Sequence, residues 1–355
     1  MARLFTPFRL RGLTLRNRLG VAPMCQYQAV DGLANDWHHV HLVSRAVGGY
    51  GLVCTEATAV VPEGRISPAD LGLYDDAQAA ALEPTVAAIR AAGAATGVQL
   101  GHAGRKASTA PPWQGGGPVV PADGGWPVVG PSPEAFDDHL PVPRALTGPE
   151  LAGIVSAFRS AAARARDIGV DAVEVHAAHG YLLHSFLSPL TNHRDDAYGG
   201  DLAGRARLVR EVVRAIREVW PDRAPVLVRL SATDWVDGGL TVEDSVQVAR
   251  WLVADGADLI DCSSGGAVPG VRIPVGPGYQ VPLAARIRAG AEVATAAVGM
   301  LTEPAQAETV LTTGAADLVL QARASLRDPY WPRRAAVALG AGEDLPPPEP
   351  YARAW

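Results

Sequence analysis

Lysine is almost missing from this sequence: of 31 Lys plus Arg in 355 residues, only Lys106 is lysine. Any Schiff-base mechanism must use that residue or none. Cysteine is scarce too. Cys25, Cys54 and Cys262 are an odd count at wide spacing, which argues against a disulfide framework and fits a reducing compartment. There is no charged-then-apolar leader and no apolar run of the ~18 residues a spanning helix needs, so no membrane contact is expected and the cytoplasm is the default. No basic run or aromatic–basic stripe offsets the net charge of -6, and nucleic acid is not an expected partner.

What is present suits a large soluble core. The chain is 48% hydrophobic and 19% charged, outside the range of disordered sequences. Its length alone fits either two domains or one α/β barrel of roughly 250 residues or more. Short apolar runs alternate with stretches of helical period eight times. LGVAPM (19–24), GLVCTEATAV (51–60), TGVQLGHAG (96–104), DAVEVHAAH (171–179), VLVRLSA, ADLIDCSSGG, VATAAVGM and DLVLQAR read as buried strands. Between them, Thr147 with Glu150 and Thr241 with Asp244 form capping boxes, and Gly169 and Gly256 supply stops. This repetition predicts a (β/α)8 barrel formed as one domain over 1–355, after an N-terminal lead-in. A doubly wound sheet would want a Gly-rich fingerprint where the chain has APMCQY. Residues 105–146, crowded with Pro and Gly, are expected to form a lid or rim after the third strand. In the tail, 341–355, the Pro run favours an extended path away from the barrel.

In such barrels the reactive groups stand at the C-terminal strand ends. Those ends carry Cys25 and Tyr27, Glu56 and Ala57, Gln99 and His102, then His176, His179 and Tyr181, followed by Arg229, Ser263, Gly299 and Arg323. Donors are plentiful there and carboxylates few. Strand alternation places Glu174 and His176 on one face, so His179 joins His176 only if the chain leaves extended geometry near Ala177 or Ala178. The pair then suits one carbonyl or phenolate oxygen, with Tyr181 as a nearby proton source. Hydrogen-bonded structure and a metal site with His184 are the competing readings. His39-x-His41 fits metal-dependent barrel hydrolases, but Asn35 and Asp36 start a helix there, which places His38, His39 and His41 on the first helix. The loops ending strands 7 and 8 are the usual phosphate site of barrels, with Arg323 a candidate clamp. Gln99 and Arg229 suit a ring whose N–C=O edge becomes negative, as in a reducible flavin. An ion pair of Arg229 with Asp234 or Glu174 is the structural alternative.

APMCQY (22–27), LANDWHHVHLVSRAVGG (33–49), EATAV (56–60), QLGHAGRK (99–106), the stretch 176–200, VRLSATDW (228–235) and SLRDPYWP (325–332) together resemble the Old Yellow Enzyme flavoproteins, in the thermophilic-like branch. The resemblance covers nearly the whole chain. It implies a (β/α)8 barrel that binds FMN and uses NADPH or NADH to reduce activated alkenes. It implies that Pro23, Met24, Cys25, Ala57, Gln99 and Arg229 line the flavin and that Gly299 and Arg323 hold its phosphate. By the same resemblance Tyr27, His176 and His179 bind substrate, the two histidines gripping its carbonyl oxygen, while Tyr181 protonates the α-carbon. The ending Tyr351, Arg353, Trp355 resembles tails that reach a neighbouring subunit, implying a homodimer or homotetramer in which Arg353 completes the partner's site. No metal is implied.

Overall fold

The computed structural model describes residues 2–354. Its centre is a closed barrel of eight parallel strands: β1 (Leu19–Val21), β2 (Leu52–Ala59), β3 (Ala95–Gly101), β4 (Ala172–Ala177), β5 (Val226–Ser231), β6 (Leu259–Ser263), β7 (Ala294–Ala297) and β8 (Leu318–Gln321). Each strand pairs with the next in sequence, and β8 closes onto β1 through Leu320 and Gly20. The predicted (β/α)8 barrel is the observed architecture.

The apolar runs form these strands because both faces are buried. Val98, Leu100, Val173, Val175, Val228 and Leu230 point outward and pack under the surrounding helices, among them Gly148–Asp167 and Leu202–Arg217. Alternate residues, including Leu52, Ala95, Ala172, Leu227, Leu259 and Leu318, fill the lower barrel. Phe8 and Leu15, on a two-stranded hairpin (Phe8–Leu10 with Leu13–Leu15), join that interior cluster and plug the bottom. Each such Leu or Phe contributes roughly 1.5–3 kcal/mol when fully buried, and the plug leaves chemistry only the other end.

Helix ends follow their capping residues. Thr147 with Glu150, and Thr241 with Asp244, form the expected boxes. Gly169 and Gly256 lie just past those helices with φ of 83° and 113°. The first helix, α1 (Asp36–Gly48), starts at Asn35 and does carry His38, His39 and His41.

Strands stop earlier than the apolar runs. β1 ends at Val21, so Pro23 to Tyr27 form a loop rather than a strand end. Pro23 has no N–H for a ladder, and Tyr27 turns through a left-handed φ of 52°. The tail also departs from expectation: it does not run away from the barrel. Leu345 is buried in the main core, Arg333 donates to the carbonyls of Leu345 and Pro346, and the Tyr351 ring lies 6.0 Å from Tyr330. A buried leucine and a guanidinium gripping carbonyls outweigh the preference of the Pro run for extension. Trp355 lies outside the described residues.

Candidate active site

Above the apolar floor the barrel interior turns polar. Register sets the pairs: Gln99 sits beside Glu174, and Arg229 beside Asp261. Gln99 Nε2 donates to Glu174 Oε1 at 2.7 Å, and Arg229 Nε lies 3.0 Å from Asp261 Oδ2. Arg229 therefore pairs with Asp261, not with Asp234 or Glu174, because the neighbouring strand presents Asp261 at its level. Asp234, past the end of β5, is taken by His184 at 3.0 Å and Ser188 at 2.6 Å. Burial, and then the Asp261 charge, push the Glu174 carboxyl up to about 8, against the pull of Arg229. The expectation of few carboxylates is thus corrected: Glu56, Glu174 and Asp261 point into or border the barrel, and Asp70 and Asp234 lie at its mouth, all buried.

β4 delivers the histidines as parity requires. His176 stands on its inner face, the strand ends at Ala177, and His179 takes a left-handed φ of 60° that swings its ring back. The two rings meet edge to face with centroids 5.1 Å apart, and Tyr181 meets His176 the same way at 4.9 Å. Gly180 and Gly266 permit the turn. A Cβ on Gly180, at φ 77°, would collide with the Gly266 carbonyl, and one on Gly266 would fall 2.8 Å from the His179 backbone. Lys106, the only lysine, donates its Nζ proton to the His179 carbonyl at 2.8 Å. It is a structural clamp, and burial lowers its amine to about 8.

Burial and the Arg229 charge hold both imidazoles well below their usual range, so they are neutral at physiological pH. The Ala178 N–H donates to His176 Nδ1 at 3.3 Å, which leaves its proton on Nε2. His179 Nε2 lies 2.6 Å from Ser263 Oγ, and its backbone N–H donates to Ser231 Oγ at 2.9 Å. Ser231 ends β5 and Ser263 ends β6; the sequence placed Ser263 at a strand end but paired neither serine with His179, because only the packing of the strand ends brings them to that residue.

The histidine metal sets do not assemble among the described residues. His184 accepts the Gly180 N–H on Nδ1 and turns Nε2 to Asp234, away from the pair. On α1, His38 accepts the Asn35 N–H and faces Glu56 at 3.2 Å, while His39 contacts Thr85.

Two walls complete the mouth. On one, Arg229, Ser263, Gly299 and Arg323 border a cleft of ≈ 290 Å³. Gly299 has φ 123°, and a Cβ there would approach Gln280 and Tyr279 to about 3.0 Å, so its bare backbone faces the cleft. On the other, half-buried Cys25, Tyr27, Ala57 and Tyr181 pack with Trp126 and Val128 of the 105–146 loop. Trp113 of that loop meets Tyr27 edge-on at 5.6 Å. The loop is therefore a wall of the mouth. Behind Cys25, its sulfur and one oxygen each of Glu56 and Asp70 lie within 4.8 Å of one another, and a one-residue bulge between Cys54 and Ala57 in β2 sets the course of Glu56.

The chain matches the NADH:flavin oxidoreductase / NADH oxidase family over residues 3–340. It is 46% identical to an NADPH dehydrogenase of Listeria monocytogenes across 100% of both chains. An NADPH dehydrogenase of Halalkalibacterium halodurans is 46% identical over 99% of each. Among solved structures it resembles morphinone reductase, with a TM-score of 0.80 and 29% identity over 98% of this chain and 92% of that one. It also resembles the old yellow enzyme homologue from Zymomonas mobilis, with a TM-score of 0.78 and 27% identity over 93% and 91%. A full-length match of this kind, on a barrel whose polar mouth opens from one end, places the chain in the NADH:flavin oxidoreductase / NADH oxidase family, as an FMN-dependent, NAD(P)H-using oxidoreductase.

Proposed function

We propose that this flavoenzyme reduces activated carbon–carbon double bonds, in enones, enals and maleimide-like alkenes, with His176 and His179 binding the carbonyl oxygen and Tyr181 protonating the α-carbon. The observation that carries the reading is the pair of neutral imidazoles set edge to face beside Tyr181.

The residues present fit FMN. Arg229 lines the cleft with its Nε turned to Asp261, the bare backbone of Gly299 faces the same space, and Arg323 stands exposed on its rim. In this reading Gly299 and Arg323 hold the phosphate, and Pro23, Met24, Cys25, Ala57, Gln99 and Arg229 surround the ring. Glu174 takes one Gln99 amide N–H, which leaves the second N–H and the carbonyl oxygen to meet the ring. Bound FMN supplies two-electron chemistry, accepting from NAD(P)H and delivering to the β-carbon of the alkene.

The protein's own groups do the rest. His176 offers Nε2–H to the substrate oxygen. His179 offers Nδ1–H when Ser263 donates to its Nε2, and two fixed donors in a dry site favour the developing enolate over the ground-state ketone. Burial and nearby Cys25 raise the Tyr181 phenol well above its usual value, so it keeps its proton until a carbanion demands it. Tyr27 and the tryptophans of the 105–146 loop bound the alkene side. Arg353, exposed at the end of the tail, is assigned to the mouth of a neighbouring subunit.

His176→Ala with His179→Ala tests this. Phenol binding should be lost and enone turnover should fall by about 10²-fold or more, while bound flavin still bleaches with NADPH. Unchanged phenol affinity and turnover would sink the oxyanion role.

A further inference from the structure

Two buried polar groups lie close to Tyr181 without a role in the chemistry described so far. Asp70 accepts the Ile66 and Ser67 N–H groups on Oδ2, at 2.7 and 3.1 Å, but its buried Oδ1 has no hydrogen-bond partner among the described residues. His102 accepts the Gly104 N–H on Nδ1 at 3.0 Å, which leaves a proton on a buried Nε2 that likewise has no partner among the described residues. Both residues line one small pocket with Ala57, His176 and Tyr181, of ≈ 10 Å³. That is about the space one water needs, ~10–15 Å³, and a buried water is held by two to four polar groups. Asp70, His102 and Tyr181, all lining the pocket, carry three such groups.

We propose that this pocket binds a single water through which Asp70 returns a proton to Tyr181, making Asp70 the proton reservoir of the site. The inference rests on the reading that Tyr181 protonates the product. The groups around Asp70 favour its acid form. Burial is the largest cause, then the charge of Glu56 on β2, and together they push the carboxyl up to about 8 against the two backbone donors and Arg65. Cys25 and Tyr27 face it from the loop after β1, His102 from the end of β3, and His176 and Tyr181 from the end of β4; His38 stands behind Glu56. Burial holds His102 and His176 below the usual imidazole range, and Arg65 is the positive charge that draws the Asp70 carboxyl back down.

The proton balance closes. Tyr181 breaks its O–H bond to form the Cα–H bond of the product and is left as phenolate. The pocket water then gives one proton to the phenolate oxygen while taking one from Asp70 Oδ1. Tyrosine and water are restored, and a carboxylate regains its proton from solvent before the next cycle. No oxidant or reductant enters the step. Asp70 acts only through Tyr181 and never touches substrate.

Asp70→Asn is the test variant, because its carbonyl oxygen can still accept the Ile66 and Ser67 N–H groups while the amide cannot lose a proton. Two measurements on the FMN-loaded enzyme decide the matter. Infrared titration of the wild type should show carboxylic-acid C=O absorption that disappears through pH about 8, and D70N should lack one component of it while the Glu174 component stays. In stopped flow with an enone whose reduction is the slower half-reaction, D70N should match the wild type in the first turnover. Its steady-state rate should then fall by ~10-fold and recover with added small buffer acids. Absence of the acid band in the wild type, its full retention in D70N, or a D70N steady-state rate equal to wild type overturns the reservoir. A Tyr181→Phe enzyme with an unimpaired first turnover overturns instead the protonation reading beneath it, a result D70N cannot produce.

Discussion

Ser263 shows how much a single hydroxyl decides in this site. Its Oγ stands 2.6 Å from His179 Nε2, and when the hydroxyl donates there, the neutral imidazole carries its own proton on Nδ1. Ser263→Ala leaves that choice open and lets the ring rotate. Phenol affinity measured by calorimetry should weaken by about fivefold, the ~1 kcal/mol of one net hydrogen bond, with little change in melting temperature. Affinity equal to wild type would show that His179 is held without the serine. At this scale the sequence was legible where chemistry is local: the parity of His176, the bend before His179, and the burial of His184 all follow from neighbours within a few residues. Arg229 with Asp261, Ser263 with His179, and Glu56 with Asp70 were not. Each pair is made by strands or loops meeting in space, and only register states which side chain stands opposite which.

At the scale of elements, the eight apolar runs located eight strands, and the capping boxes at Thr147 and Thr241 located two helix starts. Strand ends were harder to read, because hydrophobicity continues past the last ladder bond: Ala22 and Met24 remain packed after β1 has ended. The tail departs from its local preference for a similar reason. Its Pro run describes local stiffness, whereas its position depends on Leu345 finding the core and Arg333 finding carbonyls. Both anchors lie upstream of residue 349, so removing 351–355 should leave the fold and flavin content intact. If Arg353 serves a neighbour's mouth, KM for the enone should rise severalfold in that truncation. Kinetics and sedimentation identical to the full chain would exclude the tail from any site.

The whole molecule has a stability profile bounded on both sides by buried groups. His41 is held at about 3 and His102 at about 4, with His176 and His179 also well below normal, chiefly by burial. Below the unfolded imidazole value of ~6.5 the unfolded chain binds protons that the fold refuses, so stability falls as pH falls. Asp70 and Glu174, both raised to about 8, work the other way. The fold keeps their protons while the unfolded chain loses them above ~4, so their contribution declines as pH rises towards 8. Melting temperature should therefore peak near about pH 6.5, and D70N should flatten the alkaline limb. A profile that climbs steadily to pH ~8 would contradict these assignments.

Lys106 has a practical consequence. A chain with one lysine, fixed by its ammonium to the carbonyl of His179, carries its own spectroscopic reporter. Lysine labelled with carbon-13 at the ε position gives a single side-chain resonance, and that signal originates at the turn between the two histidines. Ligand occupancy, flavin loading and local breathing of the mouth can each be followed there without introducing a probe.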